Sequence, residues 1–246
     1  MIYLFQQYLK TIHHLLEKIE KEEANVIYEV SKRIAHSLTN DGVIYVFGCG
    51  HSHMLGEEVF YRAGGLVPIN PILIEDLMLH RGASRSSELE KDPTFTKSFL
   101  PDMNFSKNDL LIVASTSGRN PVPIDVALYG KEQGTHVVGI TSLHYKGHQD
   151  SRHASGLHLL EAVDTVINNH IEIGDALISF DDENIQVGPG SSITGMAIMN
   201  SLVVETANIL IENGQTPPIF KSGNVDGGAE HNETLLNKYK PLIDKL

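Results

Sequence analysis

The chain has 246 residues, 31 of them acidic against 19 basic, for a formal charge of −12. That length fits one compact α/β domain with elaborations, and the acidic balance argues against a nucleic-acid partner, which would want a basic face, so an anion must be captured locally by dipoles and hydroxyls. A single cysteine, Cys49, excludes an internal disulfide; with no signal peptide at the start and no apolar run approaching membrane-spanning length, a cytoplasmic location and no membrane partner are expected.

Residues 1–37 read as one or two helices. Leu4, Ile12, Leu15, Leu16 and Ile19 make one apolar stripe, and Val26, Val30, Ile34 and Leu38 another. Such stripes must be buried against the sheet or a partner subunit. Residues 1–40 are therefore expected as an N-terminal helical extension that supports a homo-oligomer, a dimer or tetramer, with residues 41–246 as the main domain. A first strand over 43–47 leads into Gly48, Cys49, Gly50, His51, Ser52 and His53. The glycines let backbone approach a ligand, Ser52 can act as cap and ligand, and Cys49 is read as a small packing residue. The helix that follows is expected over 52–63, ending at Gly64 and Gly65, with a second strand over 66–69.

Residues 70–106 form a long segment with Pro71, Pro93 and Pro101, a possible helix over 87–99, and a supply of acid/base groups and cations in Glu75, Asp76, His80, Arg81 and Arg85. Loops of this length in compact domains are usually functional or mobile. The apolar run 111–114 is a third strand of the kind buried on both faces of a parallel sheet. It ends at once in Ser115, Thr116, Ser117 and Gly118, and Pro121 suits the first turn of a helix reaching about Gln133. A fourth strand over 135–140 ends in Thr141 and Ser142, residues 144–158 read as a loop, and a fifth strand covers 163–167. A hairpin is expected from 176–180 and 184–187 around Asp181 and Asp182. A long apolar helix then runs from a Ser191 or Ser192 cap to about Glu212, and the glycine-rich tail with Asp226 and His231 is either an arm into a site or an exposed turn.

Small polar residues thus gather at three strand ends. Ligands of open parallel sheets collect outside the carboxyl ends of the strands, near the point where strand order reverses, and helix N-termini there favour anions. The simplest ligand is a phosphate ester. In combination, the Gly-x-Gly-x-Ser turn at Gly48, Gly50 and Ser52, the Ser-Thr-Ser-Gly turn at 115–118 and the Ser/Thr-rich start of the long helix resemble the sugar isomerase (SIS) domain family over roughly residues 40–214. The resemblance implies a three-layer αβα sandwich with a five-stranded parallel sheet, flavodoxin-like and usually oligomeric, and activities that include aldose/ketose phosphate isomerisation and lactyl ether cleavage. It further implies that Ser52, Ser115 and Ser117 are phosphate-binding hydroxyls, with Gly50, Thr116 and Gly118 supplying backbone. Asn120 stands where the phosphoheptose isomerase branch has another serine. That branch carries a His and a Glu six and ten residues beyond Ser52, where this chain has Glu58 and Arg62. The arabinose phosphate isomerase branch has a Lys before its serine and a Ser-His-Pro-Gly-Gly tail, where this chain has His51 and residues 224–228.

Isomerising a sugar phosphate needs a base beside a carbonyl, an acid for the oxygens and a fixed phosphate. Glu58, Glu75, His51, His80, Asp226 and His231 have suitable chemistry, Glu58 first because its helix carries it near the loop. His51 and His53, with His144, His148 and His153, raise metal binding, but no carboxylate or cysteine set completes a site, and a dinucleotide fingerprint fails because His53 replaces its third glycine. The expectation is a sugar-phosphate isomerase working through an enediol-like intermediate, without metal or cofactor. A non-catalytic phosphosugar sensor and an ether-cleaving lyase are the alternatives.

Overall fold

The computed structural model describes residues 3–180 and 185–246. Two amphipathic helices, α1 (Leu4–Glu22) and α2 (Ala24–Thr39), open the chain. They bury Ile12, Leu15 and Ile19 from the first, and Val30, Ile34 and Leu38 from the second. Five strands follow: β1 (Ile44–Gly48), β2 (Ile69–Ile72), β3 (Leu110–Ala114), β4 (His136–Thr141) and β5 (Thr165–Asn168). All pair in parallel in the order β2-β1-β3-β4-β5. Strand order reverses between β1 and β3, which puts the ligand-collecting crevice of such a sheet beside the loops that leave these two strands.

Pleating sorts each strand's side chains onto two covered faces. Ile44, Val46, Ile112 and Ile140 meet α2, the short helix α3 (Met54–Val59) and the long helix α7 (Ser191–Glu212). Phe47, Leu111, Val113 and Val137 meet α5 (Pro121–Glu132), α6 (Leu159–Ala162) and the aromatic residues Phe99 and Phe105. Every residue of β3 is buried as a result, so Leu111→Ala should cost about 3–5 kcal/mol in a urea denaturation curve. A loss below about 1 kcal/mol would contradict this placement of β3.

Several expected boundaries move. The helix after the first loop stops at Val59 rather than Ala63, because Phe60 is extended and Tyr61 has a positive φ of 45°. The second strand is Ile69–Ile72; Leu66, expected inside it, instead bridges Ile219 in antiparallel fashion. The fifth strand sits two residues later at its start. Helix α4 covers Ala83–Leu89 in place of 87–99, with 3-10 turns after it. Strands β6 (Ala176–Phe180) and β7 (Ile185–Pro189) pair antiparallel as a small separate sheet, while the turn at Asp181 and Asp182, with Asn184, lies outside the described residues. The tail, including α8 (Gly228–Tyr239), does not reach the carboxyl ends of the strands. Phe220, Tyr239 and Ile243 join Val43 and Val67 in a cluster at the amino ends of β1 and β2.

Among the described residues, α7 is long and apolar enough to cross a membrane by length and composition, contrary to the reading that no run comes near it. Half of its most apolar window is buried inside the protein, where Ile198, Leu202 and Leu210 pack into the core. Gly195 lets it come that close: a Cβ there would lie 2.8 Å from a Leu55 methyl carbon.

Candidate functional site

At the carboxyl ends of β1, β3 and β4 lies a cleft lined by His51, Ser52, Leu55, Ser115, Thr116, Asn169 and, from the start of α7, Ser191 and Ser192. Its enclosed free volume is only about 10 Å3, and about 270 Å3 counting the open mouth. The first figure is the scale of a single water position, so a ligand would seat from the open side.

Each lining group is held by its element. The first loop makes a tight 3-10 turn from Gly50 to His53, with the Ser52 N–H donating to the Cys49 carbonyl at 2.9 Å. The His53 ring bonds back to the Gly50 carbonyl and approaches Glu57 at 3.6 Å. In the second loop the Ser115 N–H extends the ladder to Ile140, at 3.1 Å, and its Oγ accepts from the Gly118 N–H at 3.3 Å. The Thr116 carbonyl accepts from the Ser142 N–H at 3.0 Å and from the Thr141 hydroxyl at 3.3 Å. The backbone N–H groups of Thr116 and Ser117 have no partner among the described residues.

Asn169 joins this loop from the far side. It is 2% exposed, its Nδ2 donates to Thr116 Oγ1 at 3.1 Å, and its Oδ1 accepts from the Ile171 N–H at 3.2 Å. Behind it, Glu23 at the break between α1 and α2 accepts from the Asn168 N–H at 3.1 Å and lies 2.9 Å from His170 Nε2. Sequence reasoning did not single out Asn169. The signal was present in the run Asn168, Asn169, His170, which places polar residues at the end of β5 as in the other strand ends.

Helix α7 begins differently from expectation. Gly190 is the N-cap, and the cap group is the carboxylate of Asp175, which accepts from the Gly190 and Ser191 N–H groups at 3.0 and 2.9 Å and from the Ser191 hydroxyl at 2.5 Å. A carboxylate already occupies donors that a bound anion would use. Ser192 is left facing the cleft.

The remaining sequence-derived candidates are placed as follows. Ser52, Ser115 and Thr116 line the cleft, whereas Gly50, Ser117 and Gly118 shape the two loops beside it. Asn120 is occupied elsewhere: its Nδ2 donates to Glu90 at 2.8 Å and its Oδ1 accepts from Arg152 at 2.7 Å. Glu58 is one turn back from the cleft, where its carboxylate is held by Arg62 and accepts from Asn200 Nδ2 at 3.0 Å. Glu75 is exposed and lies 3.5 Å from Arg81; His80 is exposed in the same segment, whose Leu79 abuts Gly50. Asp226 is exposed, and His231 donates to the Ile219 carbonyl at 2.9 Å. Both belong to the tail that packs at the opposite end of the sheet. Of the six expected acid/base residues, His51 lines the cleft and the other five do not. Among the described residues no three His, Cys, Asp or Glu gather with metal-binding geometry. His144 pairs instead with Glu172 at 2.7 Å and His153 with Asp125 at 2.8 Å.

Burial pushes the Cys49 thiol well up, and the charge of Glu90 adds to it, so this cysteine is a packing residue rather than a nucleophile. Burial also raises the Glu90 carboxyl above its usual value, against the opposing hydrogen bond from Asn120 and the charges of Lys91 and Arg152. A carboxyl raised on folding contributes stability that is complete below its unfolded pKa and is lost as pH rises through the folded value. Glu90→Gln keeps an acceptor for Asn120 and cannot ionise. It should flatten that decline, and a variant no more stable than the parent at pH 8 in thermal melts would refute the assignment.

A family model described as the SIS domain matches residues 7–142. A UPF0309 protein of Halalkalibacterium halodurans is 49% identical over 243 residues, 99% of this chain and 97% of its own. A phosphoheptose isomerase from Francisella tularensis superposes with a TM-score of 0.53 at 14% identity, covering 83% of this chain and 96% of that one. The Vibrio vulnificus NanR protein, solved in complex with ManNAc-6P, gives 0.52 at 13% identity over 98% of this chain and 70% of that one. At these identities the two structures share the fold. The extent of the family match over more than half of the chain, on the sheet order and loops described above, makes this protein a member of the SIS domain family.

Proposed function

We propose that the protein binds a sugar phosphate with its phosphate against Ser52, Ser115 and the free N–H groups of Thr116 and Ser117, and that it isomerises the sugar between aldose and ketose forms. The observation that carries this reading is the convergence, among the described residues, of hydroxyls and unpaired backbone donors, without a lysine or arginine, at the switch point of a parallel sheet. The fold shared with a phosphoheptose isomerase supports it. In the isomerisation, a base takes the proton from the carbon beside the carbonyl while the carbonyl oxygen gains a proton, giving the enediol; the base then returns its proton to the former carbonyl carbon as the other enediol oxygen loses its proton and becomes the new carbonyl. His51 lines the cleft and Glu58 stands one turn behind it, so these two are the base candidates.

A second reading has its own support. No carboxylate lines the cleft among the described residues, as suits a protein that binds a sugar phosphate and signals by changing its contacts, and a fold neighbour was solved with ManNAc-6P bound. A thermal-shift screen of sugar phosphates paired with their unphosphorylated sugars, followed by proton NMR in heavy water, separates the two. Phosphate-dependent stabilisation with exchange of a carbon-bound proton supports the isomerase, and Glu58→Gln or His51→Gln should then slow exchange by about 10²–10⁴-fold for whichever residue is the base. Stabilisation without exchange supports the sensor. No stabilisation by any phosphate ester would remove both.

The protein is also proposed to form a dimer or tetramer. Val204 and Ile211 on α7 are 69% and 61% exposed, and Tyr3, Phe5 and Leu9 at the start of the chain's first helix are likewise uncovered, large apolar side chains that a partner subunit would take out of water. Light scattering on the parent chain and on Val204→Glu should show the assembly and its weakening. A monomeric parent chain would end the proposal.

A further inference from the structure

A second cavity lies at the opposite end of the sheet from the cleft. It occupies about 270 Å3 between the carboxyl-terminal half of α2 and the amino ends of β3 and β4, lined by Glu29, Lys32, Arg33, His36, Ser37, residues 107–110 and His136. In a chain of net charge −12, Lys32, Arg33 and Lys107 converge here with two histidines.

The carboxylates at its rim are already committed. Asp109 accepts from the Val43 N–H at 2.9 Å and from the Ser106 N–H at 2.6 Å, so both its oxygens are tied into the turn before β3. Glu29 binds Lys32 at 3.0 Å on the outer surface of α2. Arg33 and Lys107 have no carboxylate within ion-pair distance among the described residues. The charge of Arg33 is felt by His136, whose pKa is lowered by burial first and by Arg33 next. Lone cations at a surface need no partner, but these line the same cavity as a buried polar group that lacks one. Ser37 is 4% exposed, and its Oγ has no hydrogen-bond partner although its carbonyl accepts from the Gly42 N–H at 2.9 Å. A buried hydroxyl left unmade costs about 1–3 kcal/mol, and such groups in folded proteins call for an explanation.

We infer that this cavity is a second anion site, which takes a small phosphate-bearing molecule with its phosphate between Arg33 and Lys107 and accepts a hydrogen bond from Ser37 Oγ. Arginine and lysine supply the charge-assisted bonds that phosphate oxygens favour. The volume lies just below the ~300–1,000 Å3 of pockets for drug-sized ligands, which suits a compact anion. The site is separated from the cleft by the full length of β3, and its chemistry differs: cations here, dipoles and hydroxyls there. It is independent of the activity proposed above.

The test uses the full chain and inorganic phosphate, titrated against sodium chloride at matched ionic strength, with the ring signals of His36 and His136 followed by proton–carbon NMR. Both should shift saturably with phosphate and not with chloride. The double variant Arg33→Gln/Lys107→Gln, which changes only exposed side chains, should weaken the midpoint about tenfold or more, and Ser37→Ala about threefold or more. Ser117→Ala, in the cleft loop, should leave it unchanged. The proposal is overturned by the absence of a saturable shift, by a midpoint that survives the double variant, or by a shift lost in Ser117→Ala, which would mean that the rings report the cleft.

Discussion

Gly118→Ala is expected to lower stability by about 2–3 kcal/mol and to weaken sugar-phosphate binding by about tenfold or more. Gly118 sits at φ +58°, where a side chain costs about 1–2 kcal/mol per residue. A Cβ there would also stand 2.7 Å from Thr141 Oγ1 and 3.2 Å from Leu159 Cβ. Relief requires the loop to move, and the loop is fastened on both sides: the Gly118 N–H to Ser115 Oγ, and its carbonyl to the Leu159 N–H at 2.7 Å. Any shift therefore displaces Ser115 and the free N–H groups of Thr116 and Ser117, the donors proposed for phosphate. Urea denaturation and calorimetric titration with the best-stabilising sugar phosphate read the two effects separately. Adding Thr141→Ala should return part of the stability, because it removes the closer contact. A folded Gly118→Ala protein with unchanged affinity would take the 115–118 loop out of the site.

The strands that build the cleft were legible because both faces of the sheet are covered. Val46, Phe47, Ile112 and Val113 had to be apolar without alternation, and the abrupt change to glycine, serine and threonine marked where each strand ends. Strand β2 was misplaced for the same reason in reverse. With Asn70 and Pro71 inside it, the segment does not read as a strand, yet as the edge of the sheet it tolerates a proline that a central strand would not. Leu66 and Val67 looked more strand-like and are buried, but in contacts with the segment 218–220. Apolar patterning reports burial more directly than it reports pairing.

The site was legible only as far as local rules reach. Hydroxyls at strand ends located Ser52, Ser115 and Thr116. The acid/base candidates depended on where distant segments fold back, and sequence spacing cannot supply that. The tail with Asp226 and His231 is glycine-rich enough to reach a site, but Phe220, Tyr239 and Ile243 anchor it at the amino ends of the strands. Asn120, which the family resemblance sets where a related branch has a serine, is bound instead to Glu90 and Arg152, residues 30 and 32 positions distant. The Asp175 cap on α7 was equally hidden, since a serine-rich helix start satisfies every local rule for capping itself.

The long-range connection with the greatest consequence is Glu23, and Glu23→Ala is expected to cost about 3 kcal/mol or more while weakening the cleft. Its carboxylate is buried at the break between α1 and α2 and serves the Asn168 N–H and His170 Nε2 together. Truncation leaves a backbone donor and a buried imidazole without a partner, each a penalty of about 1–3 kcal/mol. The strain compounds the loss: His170 is held at φ +56°, uncommon for a residue with a side chain. It persists because its neighbours over-determine it, the His170 N–H donating to Asn168 Oδ1 at 3.0 Å and the Ile171 N–H to Asn169 Oδ1 at 3.2 Å. Release of this turn frees Asn169, whose amide positions Thr116 from behind, so Glu23 acts on the cleft through two intervening residues and touches no ligand itself. Glu23→Gln retains one acceptor and should recover part of both losses. Chemical denaturation and sugar-phosphate titration of the two variants, with Asn169→Ala as the local control, distinguish positioning from bulk stability. If Glu23→Ala unfolds easily yet binds at the parent affinity below its transition, the network holds the fold and leaves the cleft alone. If affinity falls in step with Asn169→Ala while Glu23→Gln restores it, the break between the first two helices is part of the binding apparatus.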